Sequence, residues 1–300
     1  MGVPAGKIAI RRFTKPAARS VAFSIVFMVM NVAAMLGFST DDIFTHSGHN
    51  KHFSPFRQII LTAGCVMLIA VLISLLIREI DYESSGEEVI EAPGGQYSSW
   101  EIVKDLVVTR GFWKYVLLVC MAIGIRIVYR SLDATLPKYM ERTLGEGAYY
   151  GTVLMLNPLA IIIFTPLFTP LVYYLSNYAL IVIGGTISSL SCLIMVLEPS
   201  YYTCCAFSIF LGIGESIWTP RFYEYSVDVA PKGKEGTYMA LTSAPLFFAS
   251  MIAGTLSGTL LEGFCPENGE TDQCSYVWLI VTGIAITSPI LLFAFRSCID

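Results

Sequence analysis

Tyr178 to Leu197 reads YALIVIGGTISSLSCLIMVL, twenty consecutive positions without a charged side chain. About 20 apolar residues wound as a helix cross the hydrocarbon of a bilayer, so this stretch predicts a membrane span. Seven further stretches of the same kind lie on either side of it, at about residues 19-38, 58-77, 112-137, 149-173, 201-222, 238-262 and 275-295. Eight spans consume most of a 300-residue chain.

Composition points the same way. Hydrophobic residues make up 55% and charged residues 14%, and mean hydropathy is +0.64; a water-soluble domain of this size would lack the polar surface to cover such a core. Backbone amides in lipid have to be bonded within the spanning structure, and the stretches show no barrel-type alternation, so the fold class is all-α. Met1 to Pro16 is basic, yet the apolar run behind it is too long for a signal peptide and lacks a small-residue cleavage site, so the first span is read as retained.

Orientation follows from Lys and Arg. With a cytoplasmic N-terminus, thirteen of the 19 basic residues fall on inside segments, Lys7, Arg11, Arg12, Lys15, Arg19 and Arg221 among them. The outside loops then hold only Lys51, Arg57, Lys138 and Arg142, which predicts both termini inside. The chain divides into a basic N-terminus (1-18), two spans (19-77), a cytoplasmic linker (78-111) and a six-helix bundle (112-296). Within the acidic linker, Ser98 and Glu101 have capping-box spacing and Trp100, Val103, Leu106 and Val107 recur at helical intervals, which predicts a short helix lying on the membrane surface.

The candidate chemistry lies inside the membrane. Arg126, Arg130 and Asp133 are spaced i, i+4, i+7 and share one helix face with Tyr129 beside them. Each charge at mid-membrane costs about 2.5 to 3.5 kcal/mol on insertion scales, so the stripe has to meet water, a substrate or counter-charges. Asp133 and Glu215 balance the two arginines, either as a fixed lattice between helices or as a working site. Glu215 is the leading candidate for a proton or an ammonium group, and the planar fork of Arg126 suits a carboxylate. Helix breakers suited to gating or close packing are Pro158, Pro166 and Pro170 in one span, Gly212, Gly214 and Pro220 in a second, and Pro245 with Gly254 and Gly258 in a third. Gly254 and Gly258 are read as close-packing positions.

Tyr173, Tyr174, Tyr201, Tyr202 and Trp278 read as anchors at the membrane interfaces. Cys65, Cys120, Cys192, Cys204 and Cys205 read as small core residues, while Cys265 and Cys274 share an outside loop where a disulfide can form. His46, His49 and His52 recur every third residue in the first outside loop, a pattern read as a solvated loop in preference to a metal site. No nucleotide-binding loop, nucleophile elbow or paired Cys-x-x-Cys occurs, so neither an enzyme nor a cofactor is expected, and the partners are lipid, a small solute and a proton, with no nucleic acid.

Several motifs resemble a known family. Gly212-Ile-Gly-Glu215-Ser-Ile-Trp-Thr-Pro220 running to Ala230-Pro231, then Lys232-Gly-Lys-Glu-Gly236-Thr-Tyr-Met239, is similar to the tenth and eleventh helices of the proton-coupled oligopeptide transporter branch of the major facilitator superfamily. Asn157-Pro158 followed by Pro166 and Pro170 resembles its eighth helix, and Arg19 to Phe23 with Asn31 its fifth. The resemblance implies helices five to twelve of a twelve-helix carrier, alternating access between two halves, and proton-coupled uptake of small peptides or similar charged solutes, with Asn157, Tyr129 and the intramembrane charges facing one cavity. On that template the first four helices, with their acidic and Arg motifs, are missing, and the chain is expected not to transport by itself. The seventh helix departs from the pattern in carrying two arginines. Two alternatives stand beside this reading: a non-transporting scaffold or regulatory partner, and a carrier for an organic or inorganic anion.

Overall fold

The structure is a computed structural model that describes residues 19–46, 54–76, 104, 107–145, 147–171, 174–231, 235–267 and 273–296. Every long element among them is a helix: α1 (Arg19–His46), α2 (Pro55–Ser74), α3 (Arg110–Met121), α4 (Ile123–Ala134), α5 (Leu136–Leu144), α6 (Tyr150–Leu171), α7 (Asn177–Ser191), α8 (Tyr201–Val229), the short α9 (Glu235–Leu241), α10 (Ala244–Phe264) and α11 (Ser275–Ala294). Most of the expected linker helix lies outside the described residues, with Lys104, Val107 and Val108 in helical conformation. His49 and His52 lie outside them too, and His46 ends α1.

Seven helical segments are long and apolar enough to cross a membrane: α1, α2, α3 with α4, α6, α7 with the 3-10 turn that follows it, α9 with α10, and α11. The expected eighth span, 201-222, is part of α8, the longest helix in the described structure at 29 residues. It does not qualify on hydropathy, and its surroundings explain why. Ser208, Glu215, Ser216, Thr219, Arg221 and Ser226 are all buried along it, so most of its polar load faces protein. Arg221, read from the sequence as a cytoplasmic-segment charge, is buried within α8 and paired to Glu224 at 3.0 Å.

α8 is the centre of the bundle, packed along α7 on one side and α6 on the other. Missing side chains make the α7–α8 approach close. A Cβ added at Gly184 would stand 2.8 Å from the Gly214 carbonyl oxygen, and one added at Gly214 would collide with Ser188. Gly212 plays the same part toward α6, where a Cβ would meet the Asn157 carbonyl oxygen at 2.6 Å. Small residues are the usual means of close approach in membranes, because lipid supplies no hydrophobic drive between helices. Gly254 and Gly258, expected to pack closely, have nothing within 4 Å of an added Cβ and lie on an exposed face of α10.

α4 lies between α10 and α11, and α1 packs along α6. The break between α3 and α4 at Ala122 leaves the Met121 carbonyl to the Ser288 hydroxyl of α11. Pro289, a breaker the sequence reading passed over, cannot donate to the Ala285 carbonyl; the Ser189 hydroxyl donates to that oxygen at 3.2 Å instead. Pro245 sits in the first turn of α10, where its missing N–H costs nothing. Near the end of α1, the Asp42 carboxylate accepts from the Gly151 and Thr152 N–H groups at 3.2 and 2.5 Å, so α1 caps the start of α6.

Trp278, expected at a membrane interface, is instead fully buried, with its ring 5.4 Å from Tyr139 and 5.1 Å from Phe207. Tyr174 and Tyr202 are exposed, whereas Tyr173 lies outside the described residues. Cys192 and Cys204 are buried, as a core reading requires, but Cys65 and Cys120 are exposed. Cys265 and Cys274 form a disulfide, and Arg142 donates to the Leu261 and Cys265 carbonyls beside it at 2.9 and 2.7 Å. Arg142 thus closes the end of α10.

Candidate functional site

Three helices bring the intramembrane charges together. The close α6–α8 contact at Gly212 sets Asn157 against the next turn of α8, which carries Glu215. α4 presents Arg126 from the other side. The Asn157 amide donates to Glu215 Oε2 at 3.2 Å, while Arg126 stands 3.7 Å from Glu215 Oε1. The Arg126 guanidinium lies over the Trp218 ring, 4.4 Å from its centroid. All four side chains are buried, Glu215 at 2% exposure and Arg126 at 7%.

The Arg126–Glu215 distance is informative. A hydrogen-bonded Arg–carboxylate pair has N···O near 2.7 to 2.9 Å, and at 3.7 Å this pair is an electrostatic contact without a hydrogen bond. Trp218 supplies Arg126 with a π face, which attracts the cation but uses none of its N–H groups. Among the described residues, the donor fork of Arg126 thus has no hydrogen-bond partner.

The second arginine is engaged elsewhere. Arg130 donates to Asp133 at 2.9 Å and to the Ser250 hydroxyl of α10 at 2.7 Å. Both members of that pair are about one-third exposed. The three candidate charges of α4 and Glu215 of α8 thus form two neighbouring pairs within one space: a buried one at Glu215 and a more open one at Asp133. Tyr129 lies between them, in electrostatic range of both carboxylates and both arginines.

Pro158, buried beside Asn157, lies inside a continuous α6, as do Pro166 and Pro170, and Pro220 lies inside a continuous α8. Pro166 and Pro170 line a cavity of about 460 Å³ between α1 and α6, with Ser20, Ser24, Met28 and Thr165 on its walls. This cavity is separate from the charged cluster. Among the described residues, no group of three or more His, Cys, Asp or Glu side chains is arranged to hold a metal.

Sequence reasoning missed two members of the site. Trp218 stands three residues after Glu215, one helical turn on, so the spacing itself was the available signal. Ser250 has no such signal, because the α4–α10 contact that brings it to Arg130 joins residues 120 apart.

Comparison with known proteins bears on the fold as a whole. The profile of the Major Facilitator Superfamily matches residues 1–172 and, in a second overlapping match, residues 127–297. Among solved structures 13 chains match. One of them, described as the crystal structure of a POT family transporter in complex with thioalcohol conjugated peptide, superimposes with a TM-score of 0.54 at 16% identity. That match covers 83% of this chain and 56% of the other, so the chain spans little more than half the length of that transporter, and the likeness concerns fold alone. None of the curated proteins compared matches. With apolar helices of spanning length and a family profile matched along nearly its whole length, this chain is an integral membrane protein that belongs to the major facilitator superfamily.

Proposed function

We propose that the chain forms part of a secondary carrier that moves a small charged solute, such as a short peptide, together with a proton by alternating access, with both termini in the cytoplasm. The observation that carries the reading is the buried Arg126–Glu215–Asn157 cluster where α4, α6 and α8 meet. A purely structural lattice would be expected to close its hydrogen bonds. This one leaves a guanidinium fork and a carboxylate facing each other at 3.7 Å, an arrangement that a ligand or a proton can rearrange at low cost. Glu215 is the proton-carrying residue in this reading, Arg126 and Asn157 bind the solute, and Tyr129, Arg130 and Asp133 line its approach. The breaks at Ala122 and Ser243, and the prolines within α6, α8 and α11, provide the bending positions that rocking requires.

The test is uptake of labelled dialanine into sealed vesicles holding the protein as expressed from its native transcript. Uptake is expected to need an inward proton gradient and to be abolished by Glu215→Gln. Uptake that ignores both the gradient and the substitution would sink the reading. The alternative of a helix-assembling scaffold rests on a different observation, the exposed apolar surface of α2 and the open space at Gly254 and Gly258. A scaffold would keep its assembly after Glu215→Lys, which co-purification with a tagged relative measures.

A further inference from the structure

We infer that the cavity between α1 and α6 binds an uncharged apolar molecule with a single hydroxyl group, drawn from the surrounding bilayer, and that Thr165 holds the hydroxyl. The site is separate from the charged cluster and does not depend on the carrier reading.

The walls fix what can enter. The space is about 460 Å³, inside the range of roughly 300 to 1,000 Å³ common for small-molecule sites. Val21, Ile25 and Met28 of α1 and Pro166 and Pro170 of α6 line it, and its walls carry no Lys, Arg, Asp or Glu. Val21 and Ile25 lie across α1 from the buried Phe23 and Phe27. They are half exposed, as is Leu167 of α6, so the apolar rim of the cavity runs on to an exposed apolar face. Thr165 lies six residues before the end of α6 at Leu171, about 9 Å along the helix axis. A charged head drawn to that depth would find no counter-charge on the walls, which excludes phosphate, ammonium and carboxylate groups.

The polar groups of the cavity select the hydroxyl. Ser24 Oγ donates to the Ser20 carbonyl at 2.9 Å, and the Thr169 hydroxyl donates to the Thr165 carbonyl at 2.7 Å and stands 3.2 Å from Ser24 Oγ. Such back-bonds within a helix are how Ser and Thr hydroxyls are usually spent in a span. Thr165 makes none: it is 1% exposed, and its hydroxyl has no hydrogen-bond partner among the described residues. Two acceptors accompany this unused donor. Pro166 and Pro170 have no N–H to give the carbonyls of Ile162 and Pro166 one turn earlier. The corresponding carbonyl before Pro289 receives the Ser189 hydroxyl, whereas no side chain among the described residues donates to these two. A hydroxyl is the smallest uncharged group that accepts from Thr165 and donates to a freed carbonyl at once. In lipid, where water cannot take its place, that exchange relieves groups that are costly to leave unbonded.

Photolabelling in lipid nanodiscs tests this with dodecan-1-ol carrying a diazirine at mid-chain, its adducts located by peptide mass spectrometry. Adducts are expected on the lining stretches 20–28 and 165–170. Unlabelled dodecan-1-ol is expected to compete about tenfold better than dodecane or dodecanoate. Ile25→Trp, at a half-exposed position, fills the cavity and is expected to remove the adducts. Thr165→Val keeps the shape and takes away an unbonded buried hydroxyl, so thermal unfolding should be unchanged or higher, while competition by dodecan-1-ol falls to the level of dodecane. No adducts, or adducts elsewhere, as for a cavity filled by protein or water alone, would overturn the inference. So would adducts that survive Ile25→Trp, equal competition by the alkane, stronger competition by dodecanoate, or competition untouched by Thr165→Val. Loss of folding in Thr165→Val would overturn it too, by showing that the hydroxyl is already bonded within the protein.

Discussion

α2 and α8 are both helices of spanning length, and they meet the membrane in opposite ways. α2 carries Val66, Met67, Leu68, Ile69, Val71 and Leu72, all exposed, and no residue of its apolar window is buried inside the protein. α8 buries Glu215, Arg221, Trp218 and a row of hydroxyls, and it touches more of the bundle than its hydropathy suggests. The difference teaches that hydropathy and burial are separate in such a chain, since α7 with its 3-10 turn is as apolar as α2 and yet half buried. Burial in protein follows other features, namely small residues and paired polar groups.

The contrast is sharpest at the buried charges. Replacing Arg126 with Met alone, or Glu215 with Ala alone, strands an ion in the interior and is expected to cost about 3 to 5 kcal/mol. The double replacement Arg126→Met with Glu215→Gln should recover much of that loss, and thermal unfolding in detergent reads both. Recovery failing in the double variant would mean that the charges hold the helices together after all. The corresponding change at the more exposed Arg130 should cost about 1 kcal/mol or less.

Packing gives the next effect. Gly214→Leu forces α7 and α8 apart and is expected to destabilise by about 3 kcal/mol, whereas Gly64→Leu in α2, where nothing lies within 4 Å, should be close to neutral. Equal effects at the two glycines would remove the distinction between the helices. A smaller loss is expected from Asp42→Asn, which weakens the cap on α6 by about 1 kcal/mol and should be seen as faster amide exchange at Gly151 and Thr152. Smallest of all, Leu68→Ala in α2 should stay within about 0.5 kcal/mol in detergent, because the side chain is largely exposed.

Much of the architecture was legible in the chain. Apolar stretches of spanning length became helices, since backbone groups in lipid have to bond within their own segment. Charges on one face of α4 announced that this face turns inward, and Glu215 inside a Gly- and Pro-marked segment announced a second inward face. The pairing was less legible. Four charges were expected in one space, and within it they sort into two pairs, because Ser250 on α10 and Asp133 engage Arg130 while Asn157 and Trp218 frame Arg126 with Glu215. Trp278 was misread for a related reason. An aromatic ring near a span end looks like an interface anchor until Tyr139 and Phe207 are seen to cover it.

The sequence by itself determined that this is a helical membrane protein with charges in its interior, because the cost of exposing backbone or charge to hydrocarbon leaves no other arrangement. Only the tertiary structure decided that Gly184 and Gly214 draw two helices into contact while Gly254 and Gly258 face open space. It alone decided, too, that Arg126 stands at 3.7 Å from Glu215, over the Trp218 ring. Such distances are set by which helices meet and how closely, and no local pattern of residues encodes a neighbour that lies a hundred positions away.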